Sequence, residues 1–344
     1  MKKILLFAVC FLLSFVAFSQ EKNFHPVQIN FGFPLSTTNV KKAKEYTNAF
    51  SINLLVGISK NERSLALAGV GNVISNNAIG LQIAGVSNYI GNAGNGIAVA
   101  GVTNINKGAY NGIQVSGVYN YSGSGNGIAV AGVANMSKDS FIGLQLSGVT
   151  NIAGDVKGLQ FAGVANIAKK VKGVQFASIL NVAEESNFPI AFVNIIKNGK
   201  MGVALSYDMM NNTMLSFRSG GKYTYGILGV GYNNLVNDGS KVVAEAGYGI
   251  HIPVTDWIEI NNEFKATSVG FSNDKTCFNA SYLLAPSFTF LNHFNVFGGA
   301  SFNYFMSDYL NSNDLIPNKY LWSKDGNYNQ RMYIGYQIGL QYVF

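Results

Sequence analysis

Side chains able to carry acid–base, nucleophilic or metal chemistry are few in this 344-residue chain, and they stand far apart. His25, His251 and His293 have no neighbours at the spacing a metal site needs. No G-x-S-x-G elbow, H-E-x-x-H pair or Walker-type loop occurs. The glycine-rich "GNAGNG" at 91–96 is followed by no lysine-bearing helix, so it reads as a connector and not as a phosphate cradle. Asp208, Asp256, Glu259 and Glu263 are the candidates for paired carboxylates, the arrangement a membrane-embedded lipid hydrolase would use for general acid–base work. Glu259, Asn261 and Glu263 alternate along one strand pattern, however, which fits an ordinary polar lining. The expectation is a protein with no catalytic residue, no metal site and no cofactor. Nucleic acid is not expected as a partner either, because the lysines and arginines form no cluster interleaved with aromatics.

The side chains that do recur at fixed spacing are amides. "GLQFAGVANIA" at 158–168 reappears as "GVQFASILNVA" at 173–183 and is preceded by "GLQLSGVTNIA" at 143 and "GIQVSGVYNYS" at 112. The first glycines are Gly80, Gly96, Gly112, Gly127, Gly143, Gly158 and Gly173, spaced 15 or 16 residues apart. Gln82, Gln114, Gln145, Gln160 and Gln175 hold third place in their copies, with Ala98 and Ala129 in the other two. Ninth place is always asparagine: Asn88, Asn104, Asn120, Asn135, Asn151, Asn166 and Asn181. Partial copies stand at 65–72 ("LALAGVGN") and 190–195 ("IAFVNI"). A fixed period over this length demands a repeat architecture.

Within a copy the residues alternate, as β side chains do. Leu159, Phe161, Gly163, Ala165 and Ile167 fall on one face; Gln160, Ala162, Val164, Asn166 and Ala168 fall on the other. The charges between 64 and 183 are Lys107, Lys138, Asp139, Asp155, Lys157, Lys169, Lys170 and Lys172, all between the eleven-residue segments. Two all-β architectures fit. In the first, which the charge placement favours, each copy is a tilted strand in the wall of an antiparallel outer-membrane β-barrel. Eleven residues match the ~9–11 such a strand requires. A charge on its lipid face costs ~2–4 kcal/mol at the bilayer midplane. In the alternative, each copy is one coil of a β-solenoid over 64–197, joined to a smaller C-terminal barrel, and the amides stack as ladders.

The ends of the chain point to export. Lys2 and Lys3, an apolar run over 4–18 and small residues before Gln20 make a secretory signal peptide over 1–19. That run is too short for the ~20 residues of a spanning helix. Without Lys2 and Lys3 the formal charge falls from +7 to +5, and without Cys10 the remaining Cys277 has no disulfide partner. The chain is 48% hydrophobic and only 12% charged, against about 25% charged in ordinary soluble domains. Residues 20–63 read as N-terminal strands and a loop, 64–197 as the repeats, and 198–344 as barrel strands. Six alternating segments fill the last part, from "KYTYGILGVGYNN" at 222 to "NQRMYIGYQIGLQYVF" at 329, and 13 of the 18 tyrosines lie from Tyr207 onward. Turn signals such as "VNDGS" (236–240) and "SND" (272–274) bound them. The segments 36–48 and 307–329 are the expected exposed loops. The final strand resembles the terminal strand of bacterial outer-membrane barrels, whose last aromatic serves as an assembly signal; Phe344 is that residue here.

Taken together, the G-φ-Q-φ-A/S-G-V-x-N units, "FVNIIKNGK" (192–200), "LSFRSGGKYTYGILGVGY" (215–232) and "YLWSK" (320–324) resemble the surface-repeat proteins of Gram-negative outer membranes, Bacteroidetes type. The resemblance implies an outer-membrane or surface location without an established activity. Three functions are therefore weighed: a structural or surface-interaction role, a porin-like channel in a wall of about 16–19 strands, and a lipid-acting barrel enzyme. Outer-membrane lipid and the outer-membrane assembly machinery are the expected partners; the sequence names no surface partner.

Overall fold

The computed structural model describes residues 23–32, 35–37, 40–236, 241–270, 277–308, 315–316 and 319–344. The expected signal peptide over 1–19, with Cys10, lies outside the described residues, as do most of "VNDGS", all of "SND" and parts of the two expected loops. The fold is all-β, with one short 3-10 segment at Val40–Glu45 and no α-helix among the described residues. The chain divides into two units, one ending at Ala162 and the other beginning at Gly163.

In the first unit the strands pair in parallel with those of the next coil, apart from the antiparallel contact of Phe24–Gly32 with Leu35–Ser36. Phe24–Gly32 pairs with Thr47–Asn53, which pairs with Asn61–Ala68, then Ala78–Ala84, then Gly94–Ala100. A second row stacks Val56–Ser59, Gly71–Ile74 and Ser87–Ile90 beside it. From Thr103 the two rows are joined in long strands, Thr103–Ser116, Tyr119–Ala131, Ala134–Ser147 and Thr150–Ala162, each broken by a register shift at the bend. Register is like over like: Gly112 faces Gly127, Asn104 faces Asn120, and Gln145 faces Gln160. This is a parallel β-solenoid with one repeat per coil.

The reading of the copies as antiparallel wall strands of one large barrel is thereby corrected. Antiparallel neighbours send equivalent residues to opposite ends of a strand, whereas parallel coils place each beside its twin. The count of about 16–19 barrel strands rested on that reading and falls with it. The two faces are also assigned by burial. Gln160 and Ala162 are buried inside the coil, while Leu159 and Phe161 are 39% and 37% exposed.

The leading glycine of each copy has a steric cause. Gly96 has φ +130° and Gly127 has φ +129°, a region that side chains with a Cβ rarely adopt. A Cβ on Gly127 would also lie 2.1 Å from the carbonyl oxygen of Gly112 in the coil before it.

The second unit opens with further coils. Ala165–Ile167 pairs in parallel with Leu180–Ala183, Leu180–Ala183 with Val193–Ile196, and Lys170–Ala177 with Glu185–Ile190. Eight antiparallel strands follow, running in order from Lys200–Asp208 and Asn212–Gly220 to Asn329–Val343. The last pairs back on the first, from Gly202 opposite Val343 to Asp208 opposite Gln337, which closes a barrel. The short strand Trp322–Lys324 lies beside the last strand at Gln330–Met332.

Alternation turns Leu205, Leu215, Val230, Phe264, Leu284 and Ile338 outward, and Arg218, Glu245, Glu263, Lys265, Asn303 and Gln337 inward. The barrel's hairpin at 220–224 caps the last coil. Asn194 donates its backbone N–H to Ser219 Oγ (2.9 Å), and Thr224 Oγ1 donates to Pro189 O (2.7 Å). Tyr223 N–H donates to Asn187 O at 3.1 Å. These bonds occupy the open edge that a terminal coil would otherwise present.

Candidate functional site

Two polar interiors hold the residues that could act: the coil core and the barrel lumen. In the coils of the first unit the ninth-place asparagines form a continuous ladder. The Nδ2 of Asn72 donates to Asn88 Oδ1, and the same bond links Asn88 to Asn104, Asn104 to Asn120, Asn120 to Asn135 and Asn135 to Asn151, each at 2.9 Å. The second Nδ2 proton reaches a backbone carbonyl of the next coil, as from Asn104 to Val115 O (2.8 Å) and from Asn120 to Val130 O (2.7 Å). In the second unit Asn166 donates to Asn181 (3.0 Å) and Asn181 to Asn194 (2.9 Å). A buried amide satisfied in this way stabilises the stack; removing one member leaves its neighbours short of a partner.

The third-place glutamines behave differently. Gln160 Nε2 donates to Gln145 Oε1 at 2.8 Å. Gln82 lies in register with Ala66 and Ala98, and neither of its amide atoms is hydrogen-bonded. Gln175 is fully buried at the matching place in the second unit. The two alanine copies have a packing reason. Ala98 sits in a small core with Tyr110, and Tyr110 lies opposite Gly94, whose missing Cβ would be 2.4 Å from the Tyr110 ring. Phe141 likewise lies opposite Gly125 in the coil of Ala129, again with 2.4 Å to the absent Cβ. An aromatic from the following coil thus occupies the core where a glycine and an alanine leave room.

One carboxyl is buried among the first coils. Glu62 is only 3% exposed. It receives Asn48 Nδ2 at 3.0 Å, and Ser51 Oγ lies 2.8 and 2.9 Å from its two oxygens. Loss of hydration pushes its pKa up to about 7, against the lowering effect of those hydrogen bonds.

The barrel lumen contains an ionic network that the sequence reading found only in part. Arg218 Nη1 lies 2.9 Å from Glu263 Oε1, and Tyr225 Oη donates to the same carboxylate oxygen at 2.8 Å. Lys265 Nζ stands 3.0 Å from Glu245 and 3.6 Å from Glu263, and it also donates to Gln337. The Arg218 guanidinium lies over the Phe297 ring, 4.1 Å from its centre. Glu259 pairs with Lys200 at 2.7 Å and lies 3.6 Å from His251, whose ring stacks on Tyr225 at 4.1 Å.

The four candidate carboxylates are therefore not brought together as a catalytic pair. Glu259 and Glu263 each bind their own cation, Asp208 caps Asn212 at 3.1 and 2.9 Å, and Asp256 is exposed at a turn. His25 meets the Tyr46 ring edge-on, and His293 Nδ1 lies 3.0 Å from Val343 O. Among the described residues no three His, Cys, Asp or Glu side chains gather as a metal site. Arg218, Tyr225, Glu245 and Lys265 escaped the sequence reading. Their signal was present: in "IEINNEFKAT" every second residue from Glu259 to Lys265 is charged or amide-bearing, so that face must find opposite charge on other strands.

Phe344 ends the outward row Ile334, Tyr336, Ile338, Leu340 and Tyr342. Its N–H donates to Met201 O (2.8 Å), and its ring meets Tyr342 edge-on at 5.8 Å.

No family model, curated protein or solved structure matches this chain.

Proposed function

We propose that the protein is an outer-membrane β-barrel of the surface-repeat kind, which holds a rigid, amide-laddered solenoid at the cell envelope in a structural or surface-interaction role. The observation that carries this reading is the polarity of the closed barrel: aliphatic and aromatic side chains point outward, and an ion-paired network fills the inside. Water-soluble barrels bury their apolar face; a barrel in lipid reverses the arrangement. Phe344, at the end of an outward row, suits recognition by the outer-membrane assembly machinery. The carboxylates of the lumen are each engaged by a cation, amide or tyrosine, which favours a non-catalytic role over lipid hydrolysis.

Fractionation of a Gram-negative host expressing the full chain tests the reading. The protein is expected in the outer membrane, migrating faster on SDS gels before boiling than after, as closed barrels do. Recovery in the soluble periplasmic fraction would remove the proposal. Deleting Phe344 is expected to lower the folded, heat-shiftable fraction while leaving total synthesis unchanged.

A further inference from the structure

The solenoid, like the barrel, turns many large apolar side chains outward, and its outer surface is not evenly apolar. Each coil of the first unit has two bends. One carries the Gly–Val pair of the repeat, with Val86, Val102, Val118, Val133 and Val149 exposed along it. The two flanking rows turn further apolar groups outward, among them Ile97, Ile128, Leu159 and Phe161 on one side and Tyr89 and Ile105 on the other. The other bend carries Lys107, Lys138, Asp139, Asp155 and Lys157. Lys107 lies over the Tyr89 ring at 5.6 Å, where apolar surface gives way to charge. The surface is thus amphipathic, with a charged second bend from Lys107 to Lys157 and an uncharged, Asn-bearing one in the two coils before it.

The backbone permits such a wall to leave water. Along the Gly–Val bend the amides are bonded coil to coil: Val102 N–H to Val86 O (2.9 Å), Val118 to Val102 (3.0 Å), Val133 to Val118 (3.1 Å) and Val149 to Val133 (3.0 Å). A β-structure can enter hydrocarbon only when its backbone groups are satisfied internally, and this edge meets that demand. In the second unit the apolar flank also runs directly onto the barrel. Phe188 of the last coil stacks on Tyr223 at 5.0 Å. Phe192 stacks at 5.1 Å on Tyr248, which points outward from its barrel strand. Protein partners bring polar rims that need matching donors and acceptors. Here the polar groups are few and placed aside: Ser87 and Thr103 bond each other at 3.0 Å, and the exposed amides Asn95, Asn111 and Asn126 stand next to the polar bend, which leaves the Gly–Val bend itself apolar.

We infer that the solenoid is itself a membrane-inserted element. The Gly–Val bend and its two flanks lie among lipid acyl chains, and the charged bend lies at the headgroups and water. The inference rests on the outer-membrane reading of the barrel. It adds the solenoid's flank as a second lipid-binding surface, in the way an amphipathic helix lies in an interface.

The test uses the full chain in a Cys277→Ser background, carrying one of Val133→Cys, Val118→Cys, Lys138→Cys or Leu215→Cys. Each is labelled with an environment-sensitive fluorophore and reconstituted into phosphatidylethanolamine–phosphatidylglycerol vesicles, with brominated acyl chains or aqueous iodide as quencher. Position 215, on the barrel wall, is expected to lose emission to brominated lipid and so reports on the barrel reading alone. The inference predicts the same loss at 133 and 118, with iodide quenching confined to 138. Quenching of 215 by lipid but of 133 and 118 by iodide would overturn the inference and leave the barrel reading standing. Protection of 133 and 118 from both quenchers would overturn it too, in favour of a second copy or another protein on the flank. If 215 itself is quenched by iodide, the barrel reading and the inference fail together.

Discussion

At the residue scale, Glu62 makes the most specific prediction. Its carboxyl is protonated more readily in the fold, near 7, than at its ordinary value of 4.5. The fold therefore binds more protons than the unfolded chain between those values. The resulting stabilisation is complete below about pH 4.5 and is lost as pH rises through about 7. At 1.36 kcal/mol per unit the swing is roughly 3 kcal/mol. Hydrogen exchange of amides 47–68 is expected to speed up between pH 5 and pH 8 beyond its intrinsic rate, and Glu62→Gln is expected to abolish the extra change. A wild-type profile as flat as that of the variant would show that the carboxyl is not held as described.

Asn120→Ala tests the ladder in the same way. It removes the acceptor of Asn104 and the donor to Asn135 and Val130, at about 1–3 kcal/mol for each buried group left unpaired. Protection should fall most in the coils on either side of 120, and an unchanged exchange pattern would mean the ladder contributes nothing.

At the scale of the element, the leading glycine and the lumen network are separable. Gly127→Ala places a Cβ 2.1 Å from Gly112 O at φ +129°. The backbone strain alone is worth about 1–3 kcal/mol, so loss of that coil pair is expected in exchange data while the barrel keeps its heat-shifted mobility. Arg218→Met leaves Glu263 without its nearest cation, a loss of about 3–5 kcal/mol for a buried pair broken on one side. The double variant Arg218→Met, Glu263→Leu is expected to recover most of it. Urea titration of the barrel's gel shift would read both, and equal loss in single and double variants would count against the pair.

This is also the scale at which legibility ran out. The alternation, the 15–16-residue period and the closing aromatic strand were all visible in the residues. Period-2 alternation is identical in parallel coils and antiparallel wall strands, and it does not say which face is inside: a solenoid is expected to bury Phe161 and expose Gln160, and the structure does the reverse. The recurrence of asparagine in ninth place was the clue that favoured stacking, and charge placement masked it, because turns of a barrel and bends of a solenoid both accept lysine. Ala98 and Ala129 were opaque because Tyr110 and Phe141, which fill their space, belong to the next coil. Arg218 and Lys265 were opaque because their partners lie on other strands.

For the described part of the molecule, barrel and coils share one tendency: amides and ion pairs are gathered inside, beside small apolar clusters, and most exposed large side chains are apolar. Eight strands leave an interior just wide enough for side chains to fill. The space beside Lys265, Asp208 and Tyr333 is about 20 Å³, room for about one water. Planar-bilayer recordings of the purified chain are accordingly expected to stay at baseline; discrete current steps would show that the lumen opens.

The like-over-like register carries a further consequence. Because Gly faces Gly and Asn faces Asn from one coil to the next, those two rows accept any coil as a neighbour, while the Gly94–Tyr110 and Gly125–Phe141 pairs tie particular coils together. Removing residues 127–142 would bring Gly112 beside Gly143 and Asn120 beside Asn151 and keep the ladder in register, at the cost of Phe141, which fills the space over Gly125. Each such change alters the stack by one strand spacing, about 4.8 Å. The repeat number is thus a ruler, and recombination between copies can reset its length in whole notches wherever each glycine stays beside its aromatic partner.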